Sequence, residues 1–343
     1  MRITFLFLAA TLTLFTTLTT TANGQAHGQQ AYFKVTVENV GTAFEHHASV
    51  VFAVPEGSAD PAPIGPGGVY TFTFDAAIGQ SVSFATMFIP SNDLFYAPGE
   101  DGISLYADDG TPVEGDVTDQ IMLWDAGTEI NQEPGVGPDQ AQRQSGPNTG
   151  DDDPDNTVRL VNDGFTYPDV ADVVAVSVMN NGGTNFTVRI KNVSTGTTLK
   201  PSDGTMQAVP LAPGAFVVHS STAPLFTSGE ADRDLGLEAV AEDGNPVPLS
   251  ESLGEIAGVT QVLAPVAWVV HTDTDPFFTA GEPARDNGLE MLAQDGGPGG
   301  LAGSFRMHES STGGASVIPV GGDGPGPIGP GGSYSFTISA RPG

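Results

Sequence analysis

The 343-residue sequence contains no cysteine. No disulfide can staple the chain, and none of the lipid anchoring that works through a cysteine is open to it. Its stability therefore comes from packed cores, with bound metal as the one other source. Basic residues are scarce: 11 Lys and Arg stand against 41 Asp and Glu, for a net charge of −30. So acidic a chain repels phosphate backbones, which excludes nucleic acid as a partner. It suits divalent cations, basic partners or salty surroundings, and the same charge also serves plain solubility. After the first twenty residues no apolar run is long enough to span a bilayer. Several catalytic signatures are missing as well. There is no Gly-x-Ser-x-Gly elbow, no Walker motif, and no Gly-x-Gly-x-x-Gly opening a helix.

The chain opens "MRITFLFLAATLTLFTTLTTTANGQAHGQQ". Arg2 precedes an apolar run to about Leu18, and small residues follow, with cleavage plausible after Gly24 or Ala26. That tripartite form predicts a secretory signal peptide over 1–26, hence a secreted protein at the cell surface, in the periplasm or in the medium.

Strand patterns fill the rest. "AYFKVTVENV" (31–40) alternates Phe33, Val35 and Val37 against Lys34, Thr36 and Glu38, the period of a half-buried strand. "GGVYTFTFDA" and "QSVSFATMFI" read the same way, and further strands are predicted at 158–161, 172–179, 186–193, 215–219, 266–271, 315–320 and 333–339. The 45 Gly and 27 Pro are spread between these runs as turns. Many short strands of this kind predict an all-β antiparallel sandwich.

The sequence also repeats itself. "FKVTVENVGT" (33–42) returns as "FTVRIKNVST" (186–195), and "PIGPGGVYTFTFDAAIG" (63–79) as "PIGPGGSYSFTISARPG" (327–343). A third element occurs as "EDGISLYADDGTP" (100–112), "DLGLEAVAEDGNP" (234–246) and "DNGLEMLAQDGGP" (286–298). The two later copies suggest helical turns ended by Gly; the first suggests a strand entering an Asp-Gly turn. Taken together the repeats predict a sandwich domain over 31–181 and a second, divergent or incomplete β-rich repeat over 184–343, joined at Gly182-Gly183.

One loop carries chemistry. "LWDAGTEINQEPG" (123–135) sets Trp124 beside Asp125, with Glu129 four positions on and Gly127 between. Asp125 and Glu129 offer two carboxylates from one turn, Gly127 permits a tight bend, and Trp124 is suited to anchoring the loop in a core. Asp93, heading the upstream acidic loop, completes a candidate Ca²⁺ set if loops at one end of the sandwich converge. Asp119, beyond the "QIMLW" run, belongs further away. Acidic residues near Gly also serve simply to cap turns; a carboxylate pair is also the equipment of a glycosidase, but one turn puts both on the same side of a substrate, whereas such enzymes flank the bond from different elements.

"TGDDDPDNT" (149–157) lacks the spacing of an EF-hand and reads as a solvated acidic loop. His46 and His47 are adjacent, so a strand turns them to opposite faces. His219 and His271 sit in matched "VVHSST" and "VVHTDT" stretches, where turn hydrogen bonds account for them as well as ligation does. Asn185 and Asn192 match the N-glycosylation pattern.

The stretch "LWDAGTEINQEPG", with "SFATMFIPSNDLFYAPGEDGISLY" upstream, resembles the signature blocks of the spondin N-terminal domain family. The resemblance covers about 33–180 well and 184–343 only through the repeats. It implies a C2-like β-sandwich binding Ca²⁺ through Asp93, Asp125 and Glu129, without enzymatic activity, in an adhesion or extracellular-matrix module that contacts an extracellular glycan or a surface protein. Glu129 and Leu94 depart from the family pattern, which has Asp and often Trp at those places in animal members. The alternatives are a secreted carbohydrate-active enzyme using Asp125 and Glu129, and a purely structural envelope protein.

Overall fold

A computed structural model describes residues 2–3, 30–307 and 311–340. The expected signal peptide lies outside the described residues, apart from Arg2 and Ile3. In chain order the longer elements are β1 (Ala31–Glu38), β2 (His46–Phe52), β3 (Val69–Asp75), β4 (Ser81–Phe88), β5 (Leu94–Pro98), β6 (Ile121–Asp125), β7 (Val174–Gly182), β8 (Asn185–Asn192), β9 (Leu211–His219), α1 (Leu237–Asp243), α2 (Val247–Glu255), β10 (Val266–His271), α3 (Leu289–Asp295), α4 (Gly299–Arg306), β11 (Thr312–Ser316) and β12 (Ser333–Ala340). No helix among the described residues is long and apolar enough to cross a membrane.

The chain separates into two compact units, Phe44–Gly258 and the pair of segments Met1–Ala43 with Val259–Gly343. The division expected at Gly182-Gly183 is instead the tip of a hairpin, since β7 and β8 pair antiparallel from Val174–Asn192 to Gly182–Asn185. Two glycines in a polar stretch suit a linker or a tight turn. Here φ is 114° at Gly182 and 60° at Gly183, the left-handed values a hairpin turn needs. The repeats misplace the boundary because the smaller unit draws its strands from both ends of the chain.

The larger unit is an antiparallel β-sandwich. One sheet runs Arg159–Leu160, β6, β5, β4, β9, β2, with Ile103–Ser104 also on β4; the other runs β3, β8, β7, Gly115–Asp116. Between them lies an aromatic core that includes Phe52, Phe72, Phe84, Phe186 and Phe216. Phe72 and Phe216 stack across it with centroids 4.2 Å apart. The first sheet has a second covered face. Helices α1 and α2 press Leu237, Val240, Leu249 and Leu253 onto Ala85, Ala97, Ala215 and Val217, small side chains that let a helix approach a sheet closely. For this reason β4 is buried on both faces rather than half-buried as its alternation suggested. Helix α2 escapes a sequence reading because Pro248 lies in its first turn, where proline is tolerated.

Both α1 and α3 end as the repeats suggested. The Gly244 N–H bonds the Val240 carbonyl (3.2 Å) and the Asn245 N–H that of Ala239 (2.9 Å), and Gly296 and Gly297 repeat this pattern on Leu292 and Met291. These are glycine C-caps, with φ of 62° and 66° at the two first glycines. The earlier copy is an extended segment bent at Asp109-Gly110, where the Thr111 N–H bonds Asp109 Oδ1.

The smaller unit pairs β1 with β12 and β10 with β11. Val35, Val37 and Ile338 form one small core with Trp268 and Phe336 against it. On the other side of β10, Val269 packs with Phe277, Leu301 and Phe305. Asn192 is fully buried and its amide donates to the Ile64 and Val209 carbonyls, so it is a structural side chain and not a glycan acceptor. Replacing Phe216 by Ala should destabilise the larger unit by about 3–5 kcal/mol through lost contact and a cavity between the sheets, measured by denaturant unfolding.

Candidate functional site

The site forms where β5 begins and β6 ends. In the ladder Leu94 faces Asp125, and the Ala126 N–H bonds the Asp93 carbonyl (3.0 Å). That register sets Asp93 and Asp125 side by side. Trp124 anchors the strand end: its ring is buried and lies 4.7 Å from that of Phe226. Gly127 makes the bend, with φ of 73°, and a Cβ there would fall 2.3 Å from the Thr157 carbonyl oxygen.

All three expected carboxylates are withdrawn from solvent, Asp93 at 0%, Asp125 at 1% and Glu129 at 3% exposure. Asp93 accepts from the Thr128 hydroxyl (2.8 Å) and from the Thr128 and Glu129 N–H groups (2.9 and 3.1 Å). Asp125 accepts from the Gly127 N–H (2.8 Å) and from the Asn131 amide (2.8 Å), and it pairs with Arg159 at 2.8 Å. Glu129 turns another way, accepting from the Gly150 N–H (2.7 Å) and the Asn92 amide (3.1 Å). The structure thus brings Asp93 and Asp125 into contact and holds the Glu129 carboxylate apart. Among the described residues no three His, Asp or Glu side chains stand in an arrangement that would hold a metal ion as they are.

Other groups of the site are not apparent from the loop motif. The Thr128 hydroxyl also reaches Glu242 Oε1 (2.8 Å), which brings a fourth buried carboxyl from α1. Its signal lies in the repeats: where "GLEAVAEDG" has Glu242, "GLEMLAQDG" has Gln294, and the smaller unit has no counterpart of the 123–135 loop among its described residues. Arg159, in a two-residue strand beside β6, bridges Asp125 and Asp153. The 149–157 loop is partly what its composition suggests. Asp151, Asp152 and Asp155 are exposed, but the loop also pairs with Thr128–Ile130 and supplies Asp153 to Arg159. Asp119 is exposed in the short helix Thr118–Gln120, at the opposite end of β6. Two buried oxygens by the carboxylates, Asn131 Oδ1 and Thr149 Oγ1, have no hydrogen-bond partner.

The histidines behave as turn residues. His219 Nδ1 meets the Ser221 carbonyl at 2.8 Å, and His271 Nδ1 meets that of Asp273 at 2.6 Å. Burial pushes His219 down to about 4, so it is neutral at physiological pH.

Burial pushes the carboxyls the other way. Asp93 is raised well above the ordinary range by burial and then by the Asp125 charge. Asp125 is raised by burial, against the pull of Arg159, and Glu129 is raised by burial. Glu242 is pushed up to about 8, by burial first and then by neighbouring acids including Glu129 and Glu238. What this geometry can do is hold protons, or hold a hard cation in their place.

No family model, curated protein or solved structure matches the chain.

Two outcomes follow from the site. In the window from about 4.5 to about 8, Glu242 holds a proton when folded and releases it when unfolded. Stability from this group is therefore complete below that window and lost as pH rises through it. In chelator the melting temperature should fall from pH 5 to pH 8, and Glu242→Gln should flatten that fall. Gly127→Ala should cost about 2 kcal/mol or more, from the left-handed backbone and the contact with Thr157, again read by denaturant unfolding.

Proposed function

We propose that this is a secreted, non-enzymatic Ca²⁺-binding protein of the spondin type, acting as an adhesion or matrix module toward an extracellular glycan or surface protein. The observation that carries this reading is the charge balance at the strand ends. Asp93, Asp125, Glu129 and Glu242 are buried together, with Arg159 as the cation bonded among them. Burying several carboxylates against one guanidinium is costly unless protons or a cation compensate. Every donor atom on offer is oxygen, the ligand Ca²⁺ takes. Asp93 and Asp125 are the pair assigned to the ion, the unpartnered Asn131 Oδ1 is the neighbouring amide oxygen, and Glu129 is the third carboxylate, freed from Asn92 and Gly150 on binding. The ion would supply fixed positive charge that ties the two loops together. The sequence blocks at 83–106 and 123–135 support the family reading, and the opening segment supports export.

A glycosidase reading of Asp125 and Glu129 has less behind it. Such enzymes present their two carboxyls to a sugar chain from either side of the bond, whereas here both are 3% exposed or less.

Calorimetric titration with Ca²⁺ tests the proposal. Binding should be weak, with Kd of about 10⁻⁴–10⁻³ M as in other extracellular modules, and absent in Asp125→Ala and in Asp93→Asn. A hundredfold excess of Ca²⁺ over Kd should add about 2.7 kcal/mol to stability, seen as a raised melting temperature that chelator reverses. Equal heats for wild type and both variants would remove the site.

A further inference from the structure

The acidic site of the larger unit already holds one positive charge, and that charge has a second place to sit. Arg159 lies in the two-residue strand beside β6 and faces Asp125 in the ladder. Its Nη2 is 2.8 Å from Asp125 Oδ2 and 2.5 Å from Asp153 Oδ2. Its Nη1 donates to the Asp155 and Thr157 carbonyls, and Asp155 Oδ2 stands 3.9 Å away. The carboxylates around this guanidinium grade from the interior to solvent. Their side chains are 1% exposed at Asp125, 13% at Asp153 and 71% at Asp155.

On Asp125 the acceptor positions are largely taken. Oδ1 accepts from the Gly127 N–H, and Oδ2 accepts from the Asn131 amide as well as from Arg159. A carboxylate oxygen offers two lone pairs, so Oδ2 has none free while Arg159 is in place. A cation arriving at Asp125 would also meet the guanidinium charge at close range, where burial weakens screening. Arg159 and an incoming cation therefore compete for one carboxylate. Breaking a buried ion pair is strongly destabilising when it strands a charge. Here it does not, because Asp153 already accepts from the same Nη2 and two carbonyls hold Nη1.

We propose that Arg159 is a built-in competitor for the cation site, a role that rests on the Ca²⁺ binding argued above. It occupies Asp125 in the ion-free protein and passes to Asp153 and Asp155 when Ca²⁺ is bound. The 149–157 loop is then more than a solvated acidic stretch: it is the acceptor of the displaced guanidinium. Each binding event must break an internal ion pair, which sets the affinity low.

Calorimetric Ca²⁺ titration of the full chain, with Arg159→Gln, Asp153→Asn and the double variant, tests this. Arg159→Gln should bind about tenfold tighter or more, the worth of a hydrogen bond to a charged group, while melting lower than wild type in chelator. Asp153→Asn should weaken binding about threefold, as an exposed ion pair would, and the double variant should bind as Arg159→Gln does. A purely structural Arg159 would instead lose affinity together with melting temperature. Binding by Arg159→Gln no tighter than wild type, or an equal effect of Asp153→Asn with and without Arg159, overturns the proposal and leaves the Ca²⁺ reading standing. No heat from wild type or any variant removes both. If Arg159→Gln does not fold, wild type decides: exchange of the Arg159 guanidinium protons, followed by NMR, should quicken at saturating Ca²⁺ as the side chain moves outward, and unchanged exchange overturns the proposal.

Discussion

The site depends on one register. Leu94 lies opposite Asp125, so the last residue of the β4–β5 turn and the last residue of β6 end side by side. A slip of one residue would turn Asp125 to the other face of the sheet and bring Trp124 out of its core. Two devices fix the register. Trp124 is packed against Phe226 beneath the helices, and the Asp93 carbonyl accepts the Ala126 N–H just beyond the ladder. The same carboxyl whose charge needs compensation also holds the Thr128 and Glu129 N–H groups. The loop is therefore shaped around Asp93, and the acids converge because the backbone is tied to one of them.

That convergence sets two requirements against each other. Covering the sheet with α1 and α2 gives the larger unit a second apolar layer and removes water from the strand ends. Removing water makes each carboxylate harder to ionise. The chain answers with hydrogen bonds to every one of the four acids and with a single guanidinium on Asp125. Hydrogen bonds from N–H and hydroxyl groups favour the charged forms, yet Asp93, Asp125, Glu129 and Glu242 all stay above their ordinary range. The site therefore buries more acid than Arg159 offsets, and protons retained on the carboxyls lower that cost.

How much of this is legible in the sequence varies with the range of the interaction. The period-2 runs name β1, β3 and β10 closely, because each strand's burial is set locally by which side chains alternate. The αL glycines at 244 and 296 are equally local, and they end their helices where the repeats place them. Asp93, Asp125 and Glu129 stand out as acids in short loops. That Asp93 and Asp125 meet while the Glu129 carboxylate turns to Gly150 is not legible, because it follows from a loop twenty residues further on. Glu242 and Arg159 belong to segments whose pairing is long-range: Arg159 sits in no motif, and the repeat that contains Glu242 does not say which loop it meets. The domain boundary fails for the same reason. Gly182-Gly183 is a turn only because β7 and β8 find each other, and the smaller unit is closed by β1 and β12 from opposite ends of the chain.

The two units together separate scaffold from chemistry. Both keep the buried histidine that ties strand to loop, the arginine that ties loop to loop, and the paired helices with their glycine caps. Among the described residues only the larger unit has strands like β4, β5 and β6, and only there does the helix present a carboxyl at the position of Glu242, where the other copy has Gln294. An amide in place of the acid is what a scaffold without Asp93 and Asp125 would be free to carry, since no charge has to be shared. The helix face and the loop thus form one hydrogen-bonded set although 114 positions of chain separate Thr128 from Glu242.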